Sequence, residues 1–471
     1  MSDLVDADAR SRIGTALDRS LLIEAAAGTG KTRMLVERMV GALATGACTP
    51  EGLVAVTFTR AAAGELKLRL RQRLSRARED SRGWPEAAQD HDRNAVRARL
   101  DQAFVRLDEA RVSTIHGFCV DLLRSFPIEA DVDPGFEELS EGEAERLFDG
   151  QVRRWFEAVL HDPPLGLRRA LTWPSSGSDR EEPFERIRKA AWNLYEARTH
   201  PQPWTRPASQ VDCTPLLDEL LELAELLEEA PPSLRRQIQN QNLDRLPELA
   251  RRERARRRAG DEDPVAREAD LFEGVDALRL RKMSGAFSPR ITWTQLRARL
   301  EAWQTAVTDA RRVLQAELAA DLQAILQEPI RRYEAEKARR SVLDYTDLLV
   351  RTRKLLADPS VVERVRSGVQ RLFVDEFQDT DPLQTEILLA TCPPESGRLT
   401  LVGDPKQSIY GFRTADMNHY LEVRQTLTDS SVERVELRHS FRAVAELQQA
   451  TNQVFGPVFE TGPAQPGYVP L

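Results

Sequence analysis

Residues 21–46 constrain the fold of this chain more than any other segment does. A short apolar run, Leu21–Glu24, leads into a glycine-rich turn, and apolar residues then recur at helical spacing until Gly46, which is suited to end a helix. The turn reads Ala25, Ala26, Ala27, Gly28, Thr29, Gly30, Lys31 and Thr32. Buried strand, glycine-rich turn and helix in this order predict a phosphate-binding loop, because backbone N–H groups and the helix N-terminus together favour an anion.

The two last residues of this loop carry the expected nucleotide chemistry. Lys31 would reach the β- and γ-phosphates of ATP, and Thr32 would ligate Mg²⁺. Lysine is rare in the chain, seven residues against sixty arginines, yet it occurs where a compact point charge is needed. Ala25 stands where the usual pattern has its first glycine. The alternative interpretation, a tight strand-to-helix turn without a ligand, is less favoured.

Four further apolar runs predict strands buried on both faces of a parallel sheet: Leu53–Phe58, Arg111–Ile115, Arg371–Val374 and Leu399–Val402. The stretch between about Phe126 and Leu343 is instead rich in helical patterns and poor in strand signals. The fold class that we predict is therefore α/β, a parallel-sheet domain with a large, mainly helical insertion.

Composition excludes several classes of protein. Hydrophobic residues make up 41% of the chain and charged residues 30%, which is enough apolar surface for packed cores. The formal net charge of −8 argues against a polycation that coats nucleic acid. The four cysteines form no CxxC pair, and no apolar run approaches the ~20 residues that span a bilayer. We expect a cytoplasmic protein that has no membrane partner.

A second motif, which is acidic, follows the run Arg371–Val374. Asp375 at the tip of such a strand would hold Mg²⁺ through its hydration shell, and Glu376 would polarise the attacking water. Alone, these two residues could form an ordinary acidic turn. Together with the phosphate-binding loop they predict Mg²⁺-dependent hydrolysis of ATP.

Five segments resemble motifs of the UvrD/Rep-type superfamily 1 DNA helicases. They are Thr57–Glu65 (motif Ia), Ser113–Phe118 (motif Ib), Asp375–Thr380 (motif II), Gly403–Arg413 (motif III) and Leu437–Arg442 (motif IV). The residues of motif III, Asp404-Pro405-Lys406-Gln407, and the long segment between His116 and Asp375 are more similar to RecB and AddA, the helicase–nuclease subunits. The resemblance implies a RecA-like P-loop motor domain (residues 1–125 and 366–428), a helical insertion (126–365) and an incomplete second motor domain beginning at 429.

The resemblance also implies roles for individual residues. Gln407 would sense the γ-phosphate, and Arg442 would be the arginine finger contributed by the second motor domain. Phe441 would stack on adenine, in a position where the family usually has tyrosine. Phe58, Tyr410 and Phe412 would be base-stacking platforms on single-stranded DNA, and Thr59, His116 and Arg413 would contact its backbone or brace those aromatics. The implied activity is 3′ to 5′ translocation that unwinds a duplex junction in recombination or double-strand-break repair, together with a helicase–nuclease partner subunit.

Two departures from the family pattern lead to further expectations. Residues 1–20 contain no glutamine that could read adenine; the first glutamine is Gln72. The chain ends at Leu471 without motifs V and VI, so we expect this portion alone to bind nucleotide weakly and not to unwind DNA. Two alternatives stay open: a motor-dead DNA- or partner-binding protein, and a P-loop ATPase that acts on proteins or small molecules.

Overall fold

The structure, a computed structural model, describes residues 4–174, 182–199, 206–208, 211–281, 285–407, 417–430 and 432–458. The chain divides into two compact units. Unit 1 comprises Met1–Ser140 together with Ser341–Leu471, and unit 2 comprises Glu141–Arg340.

The strands of the described residues all belong to unit 1. They are β1 (Leu21–Ala25), β2 (Leu53–Thr57), β3 (Arg111–Thr114), β4 (Glu137–Glu138), β5 (Val342–Leu343), β6 (Arg371–Val374), β7 (Leu399–Gly403) and β8 (Glu433–Leu437). Six of them form a parallel sheet in the order β3-β2-β6-β7-β1-β8, and β4 pairs with β5. The α/β fold class predicted from the sequence is therefore confirmed.

Helices connect these strands and form unit 2. The first five are α1 (Ala7–Thr15), α2 (Lys31–Thr45), α3 (Arg60–Glu79), α4 (Arg93–Val105) and α5 (Ile115–Ser125). Unit 2 contains α6 (Glu141–Val159), α7 (Leu165–Thr172), α8 (Pro183–Glu196), α9 (Thr214–Glu228), α10 (Arg235–Asn240), α11 (Arg245–Ala259), α12 (Pro264–Ala277), α13 (Trp293–Ile325) and α14 (Gln327–Arg340). The chain then returns to unit 1 with α15 (Tyr345–Leu356), α16 (Pro359–Gly368), α17 (Pro382–Thr391), α18 (Met417–Asp429) and α19 (Ala445–Phe455).

The sheet of unit 1 is buried on both faces, which explains why its strands read as continuous apolar runs. Alternate residues enter different cores: Leu21 and Ile23 pack with α1–α4, whereas Leu22 packs with α5 and α15–α17. The helix predicted after the glycine-rich turn is α2, and Gly46 ends it in the left-handed conformation with φ 80°.

Unit 2 has two hydrophobic cores of its own, one around Trp303 and one around Tyr333. A buried ion pair joins α7 to α12, where Arg169 donates to Glu268 at 2.6 Å. Burying two charges is tolerable here because Arg169 also pairs with Glu317 at 3.2 Å and Trp173 donates to Glu268.

The limits expected for the helical insertion, residues 126–365, differ from those of the compact unit Glu141–Arg340. The reason is hydrophobic burial. Phe126 and Phe136, and Leu348 and Val361 of α15 and α16, all enter the core that packs against the sheet of unit 1. The sequence shows the helical pattern, but the core that each helix joins is not visible in that pattern.

Strand β8 lies in the segment that was expected to begin a second motor domain. β8 pairs in parallel with β1 over its whole length, from Leu21 opposite Glu433 to Ala25 opposite Leu437. Its alternate residues Val435 and Leu437 are buried in the core formed with α1–α4. Residues 433–437 therefore complete the sheet of unit 1.

Candidate nucleotide and nucleic-acid site

The candidate site lies along the carboxyl edge of the six-stranded sheet. Because the strands are parallel, the residues that follow them meet at one edge, where α/β proteins bind ligands. In the order of the strands, these are His116 (after β3), Phe58 (β2), Asp375 and Glu376 (β6), Asp404 (β7), the glycine-rich turn (β1) and residues 438–442 (β8).

The glycine-rich turn has the geometry of a phosphate-binding loop. Gly28 and Gly30 adopt positive φ values of 80° and 85°, which glycine reaches without steric cost. Thr29 between them is buried, and its Oγ1 donates to the carbonyl of Ala26 at 2.7 Å. Ala25 is the last residue of β1, where extended backbone suits alanine, so a glycine is unnecessary there.

Lys31 at the start of α2 contacts Glu376, with 3.1 Å between Nζ and Oε2. Glu376 has φ 55°, an uncommon conformation for a residue with a side chain and one that often marks functional sites. Its Oε2 also accepts a hydrogen bond from Nε2 of Gln378 at 2.8 Å. The predicted phosphate-binding lysine and the predicted water-polarising carboxylate therefore lie in direct contact.

Two aspartates beside Glu376 form a concentration of negative charge. Burial, together with the charge of Glu376, raises the pKa of Asp375 and that of Asp379 to about 6. Oδ1 of Asp379 is buried and has no hydrogen-bond partner among the described residues. A nearby divalent cation would offset this unfavourable charge.

These residues fit Mg²⁺ bound together with a triphosphate. The described part of the chain contains no cluster of three or more His, Cys, Asp or Glu that could hold a metal ion on its own. Mg²⁺ bound with phosphates usually takes only one or two carboxylates from the protein. Asp375, at the end of β6, and Thr32, in the first turn of α2, can supply such a partial set of ligands.

Gln407 is connected to Glu376 through two intervening residues. Its Nε2 donates to Oδ2 of Asp404 at 2.6 Å, and the backbone N–H of Asp404 donates to Oε1 of Gln378 at 2.8 Å. Since Gln378 also donates to Glu376, a continuous chain of hydrogen bonds crosses from β6 to β7. Sequence reasoning did not single out Gln378 or Asp404, although both lie within the recognised motifs II and III.

Residues 440–442 pack directly on the phosphate-binding loop. The backbone N–H of Phe441 donates to the carbonyl of Gly28 at 2.8 Å, and Oγ of Ser440 donates to that of Ala27 at 3.3 Å. Phe441 is 56% exposed, which leaves ring surface for a ligand. Arg442 follows the end of β8 by five residues, and its expected role as an arginine finger stays a prediction.

Three residues predicted to bind DNA, Phe58, Thr59 and His116, lie toward the other end of the edge. Phe58 is half-buried, and His116 packs edge-on against Tyr345, with 5.2 Å between ring centroids. Tyr345 is 39% exposed and was missed, because more than two hundred residues separate it from His116. Thr59 caps α3 by accepting a hydrogen bond from the N–H of Ala62 at 3.1 Å. The remaining predicted DNA contacts, Tyr410, Phe412 and Arg413, lie outside the described residues.

A parallel sheet whose strands end in a phosphate-binding loop and an Asp-Glu pair defines a P-loop nucleoside triphosphatase. No helix in the described ranges is long and apolar enough to cross a bilayer. Comparison with known proteins narrows the class further. The chain belongs to the UvrD/REP helicase N-terminal domain family, whose sequence profile matches residues 6–428.

Three similar proteins are each named as a subunit of an ATP-dependent helicase/nuclease. The chain is 28% identical over 513 residues to the protein of Levilactobacillus brevis, and the aligned region covers 95% of this chain and 38% of that protein. The corresponding values are 26% over 490 residues for Pediococcus pentosaceus (94% and 38%) and 27% over 503 residues for Staphylococcus aureus (93% and 38%). The resemblance to UvrD/Rep-type and AddA-like helicases is thus confirmed, and the chain spans 38% of the length of these relatives.

Proposed function

We propose that this chain is the ATP-hydrolysing motor portion of a DNA helicase that moves 3′ to 5′ on single-stranded DNA. We further propose that it acts in the cytoplasm, in recombination or double-strand-break repair, with a partner subunit of a helicase–nuclease. The observation that carries the proposal is the arrangement along the sheet edge. The phosphate-binding loop after β1 and the aromatic residues Phe58 and His116 after β2 and β3 flank one central carboxylate, Glu376.

On the nucleotide side, Lys31 exchanges Glu376 for the β- and γ-phosphates of ATP, and Glu376 then orients and polarises the attacking water. Thr32 and Asp375 would hold Mg²⁺, which neutralises triphosphate charge when bound. Arg442 adds positive charge beside the loop, where charge develops in the transition state.

On the DNA side, Phe58 and the His116–Tyr345 pair would offer rings on which bases can stack. Stacking suits a motor that ignores sequence, since every base offers a π-face worth about 1–3 kcal/mol. Phe58 follows β2, the neighbour of β6, so at about 4.8 Å per strand it lies close to the Asp375–Glu376 pair. Loss of the γ-phosphate would therefore change the position of residues that are close to the DNA.

A linkage measurement tests this proposal on the full 471-residue chain. The affinity of a non-hydrolysable MgATP analogue is measured with and without oligo(dT), and the affinity for oligo(dT) with and without the analogue. We expect each ligand to change the affinity for the other by the same factor, about 5-fold or more. Binding of both ligands without mutual effect would refute a motor and favour the motor-dead alternative.

Variants locate the coupling within the site. Gln378→Ala removes the hydrogen bonds to Glu376 and to the Asp404 amide, so the linkage factor should fall toward one while each separate affinity changes little. Gln425→Ala, on the exposed face of α18, is the matched control and should leave the factor unchanged. The expectation that this chain does not unwind DNA stays a prediction, which ATP turnover and strand separation measured side by side would test.

A further inference from the structure

Helix α1 contributes a buried ion pair to the nucleotide site. Arg10 is only 4% exposed, and it forms a two-pronged contact with Asp6: Nε donates to Oδ1 and Nη2 donates to Oδ2, both at 2.8 Å. An aspartate–arginine pair spaced four residues apart is usually a weak, solvent-exposed helix contact. Here both side chains are buried, so their remaining polar atoms need hydrogen-bond partners within the protein.

Those neighbours are the two segments that form the nucleotide site. Nη2 of Arg10 donates to the carbonyl of Thr29 in the phosphate-binding loop at 3.0 Å, and to the carbonyl of His439 at 3.3 Å. Oδ2 of Asp6 accepts hydrogen bonds from the backbone N–H groups of Arg438 at 2.9 Å and His439 at 3.0 Å. The pair therefore joins the loop after β1 to the segment after β8.

The same guanidinium also supports Phe441. Its central carbon lies over the Phe441 ring, 5.0 Å from the centroid, and the His439 ring packs edge-on against Phe441 at 4.8 Å. Cation–π contacts of this kind fix the orientation of an aromatic ring. Since Phe441 stays 56% exposed, the ring is held in place while its remaining surface is open to a ligand.

We propose that the Asp6–Arg10 pair positions Phe441 for the base of a nucleotide, in place of the glutamine that residues 1–20 lack. This inference rests on the proposed ATP-dependent function. Asp6 and Arg10 hold backbone groups and the Phe441 ring, so the base is recognised by stacking and not by side-chain hydrogen bonds to its edge. Stacking distinguishes large rings from small ones, whereas strong rejection of a close analogue requires hydrogen bonds. The site therefore accepts purine nucleoside triphosphates, both ATP and GTP.

Competition binding tests the proposal with the full chain. MgATP, MgGTP, MgCTP and magnesium tripolyphosphate each displace a fluorescent ATP analogue, and their dissociation constants are compared. We expect ATP and GTP to agree within about threefold, and both to bind about tenfold or more tightly than tripolyphosphate, as a stacking contact of about 1–3 kcal/mol requires. CTP should lie between. A preference for ATP over GTP of about a hundredfold would overturn the stacking assignment.

A double-mutant cycle tests the role of Arg10 itself. Arg10→Gln should weaken ATP about tenfold more than it weakens tripolyphosphate, which also depends on the loop that Arg10 contacts at Thr29, and Phe441→Ala should abolish the advantage of ATP over tripolyphosphate. In the double variant, Arg10→Gln should not lower the ATP-to-tripolyphosphate ratio further, because its effect on the base acts through Phe441. Arg12→Gln, on the same helix but paired with Glu433, is the matched control and should leave the ATP-to-tripolyphosphate ratio unchanged.

Other outcomes separate the inference from the proposed function. Equal weakening of ATP and tripolyphosphate by Arg10→Gln, or additive effects in the double variant, would show that Arg10 is merely structural and would overturn the inference alone. Failure of the wild-type chain to bind any of these ligands would overturn the proposed function as well. If Arg10→Gln does not fold, Arg10→Lys enters the same cycle. Lysine retains the positive charge over Phe441 but cannot make both hydrogen bonds to the Asp6 carboxylate. We therefore expect a smaller loss of affinity, and mainly for nucleotides.

Discussion

A methyl group added at Gly28 should disrupt the packing of the candidate site. A Cβ added to Gly28 would lie 2.5 Å from Cβ of Arg442 and 2.9 Å from Oγ of Ser440. Neither distance is tolerable, and Cβ of Arg442 is not the far end of a flexible side chain. Gly28→Ala must therefore move the phosphate-binding loop away from residues 440–442.

The change in stability has two unfavourable contributions and one favourable contribution. An alanine at φ 80° carries about 1–2 kcal/mol of backbone strain. Separating the segments disrupts the hydrogen bonds from Phe441 to Gly28 and from Ser440 to Ala27, each worth about 0.5–1.5 kcal/mol. Alanine recovers about 0.4–1 kcal/mol by restricting the unfolded chain. We expect a net loss of about 1–4.5 kcal/mol in the free energy of unfolding of unit 1.

Urea unfolding followed by circular dichroism measures this loss, and two other glycines provide matched controls. Gly30 has the same left-handed conformation, but its added Cβ would meet nothing closer than 3.8 Å, so Gly30→Ala should cost only about 1 kcal/mol. Gly14 lies in α1 with nothing within 4 Å, so Gly14→Ala should stabilise by about 0.5–1 kcal/mol. Equal losses for Gly28→Ala and Gly30→Ala would refute the contact between the loop and residues 440–442.

Two further predictions concern the carboxylates. Glu376→Gln removes the charge that pairs with Lys31, so MgATP should bind equally or up to about fivefold more tightly, while hydrolysis slows about 10²–10⁴-fold; near-normal single-turnover hydrolysis would contradict this role. Because the pKa of Asp375 is raised from 3.8 to about 6, metal-free wild-type protein should lose stability as pH rises through about 6. Asp375→Asn should remove that loss, which amounts to about 1.4 kcal/mol between pH 5 and pH 8, as measured by unfolding in EDTA with exposed Asp429→Asn as control.

The parts of the fold that the sequence predicted correctly are those with local signals. Strand β6 matches the predicted run Arg371–Val374, and α2 begins and ends where Lys31 and Gly46 indicate. These assignments depend only on apolar spacing and on residues suited to helix ends. The phosphate-binding loop is recognisable for the same reason, because its strand, turn and helix are consecutive in the chain.

The parts that could not be predicted depend on contacts between distant segments. The pattern of β8 shows a strand but not its neighbour, and pairing with β1 joins residues about four hundred positions apart. Tyr345 reaches His116 only because α15 packs beside α5. Asp6 and Arg10 look like an ordinary exposed helix pair until the backbone of residues 438–439 covers them.

The hydrogen bonds around Glu376 give a physical reason for coupling between the two ends of the site. Glu376 is in a strained conformation, φ 55°, and two donors, Lys31 and Gln378, share its Oε2. In the proposed function, the phosphates of ATP would attract Lys31 and leave Gln378 as the one donor of these two, which would allow Glu376 to turn toward the attacking water. Because Gln378 also accepts from the N–H of Asp404, any shift of Gln378 moves the backbone that leads to Gln407. Coupling of this kind requires only a rearrangement within one sheet edge, and it predicts that shortening Gln378 uncouples the two ligands without preventing either from binding.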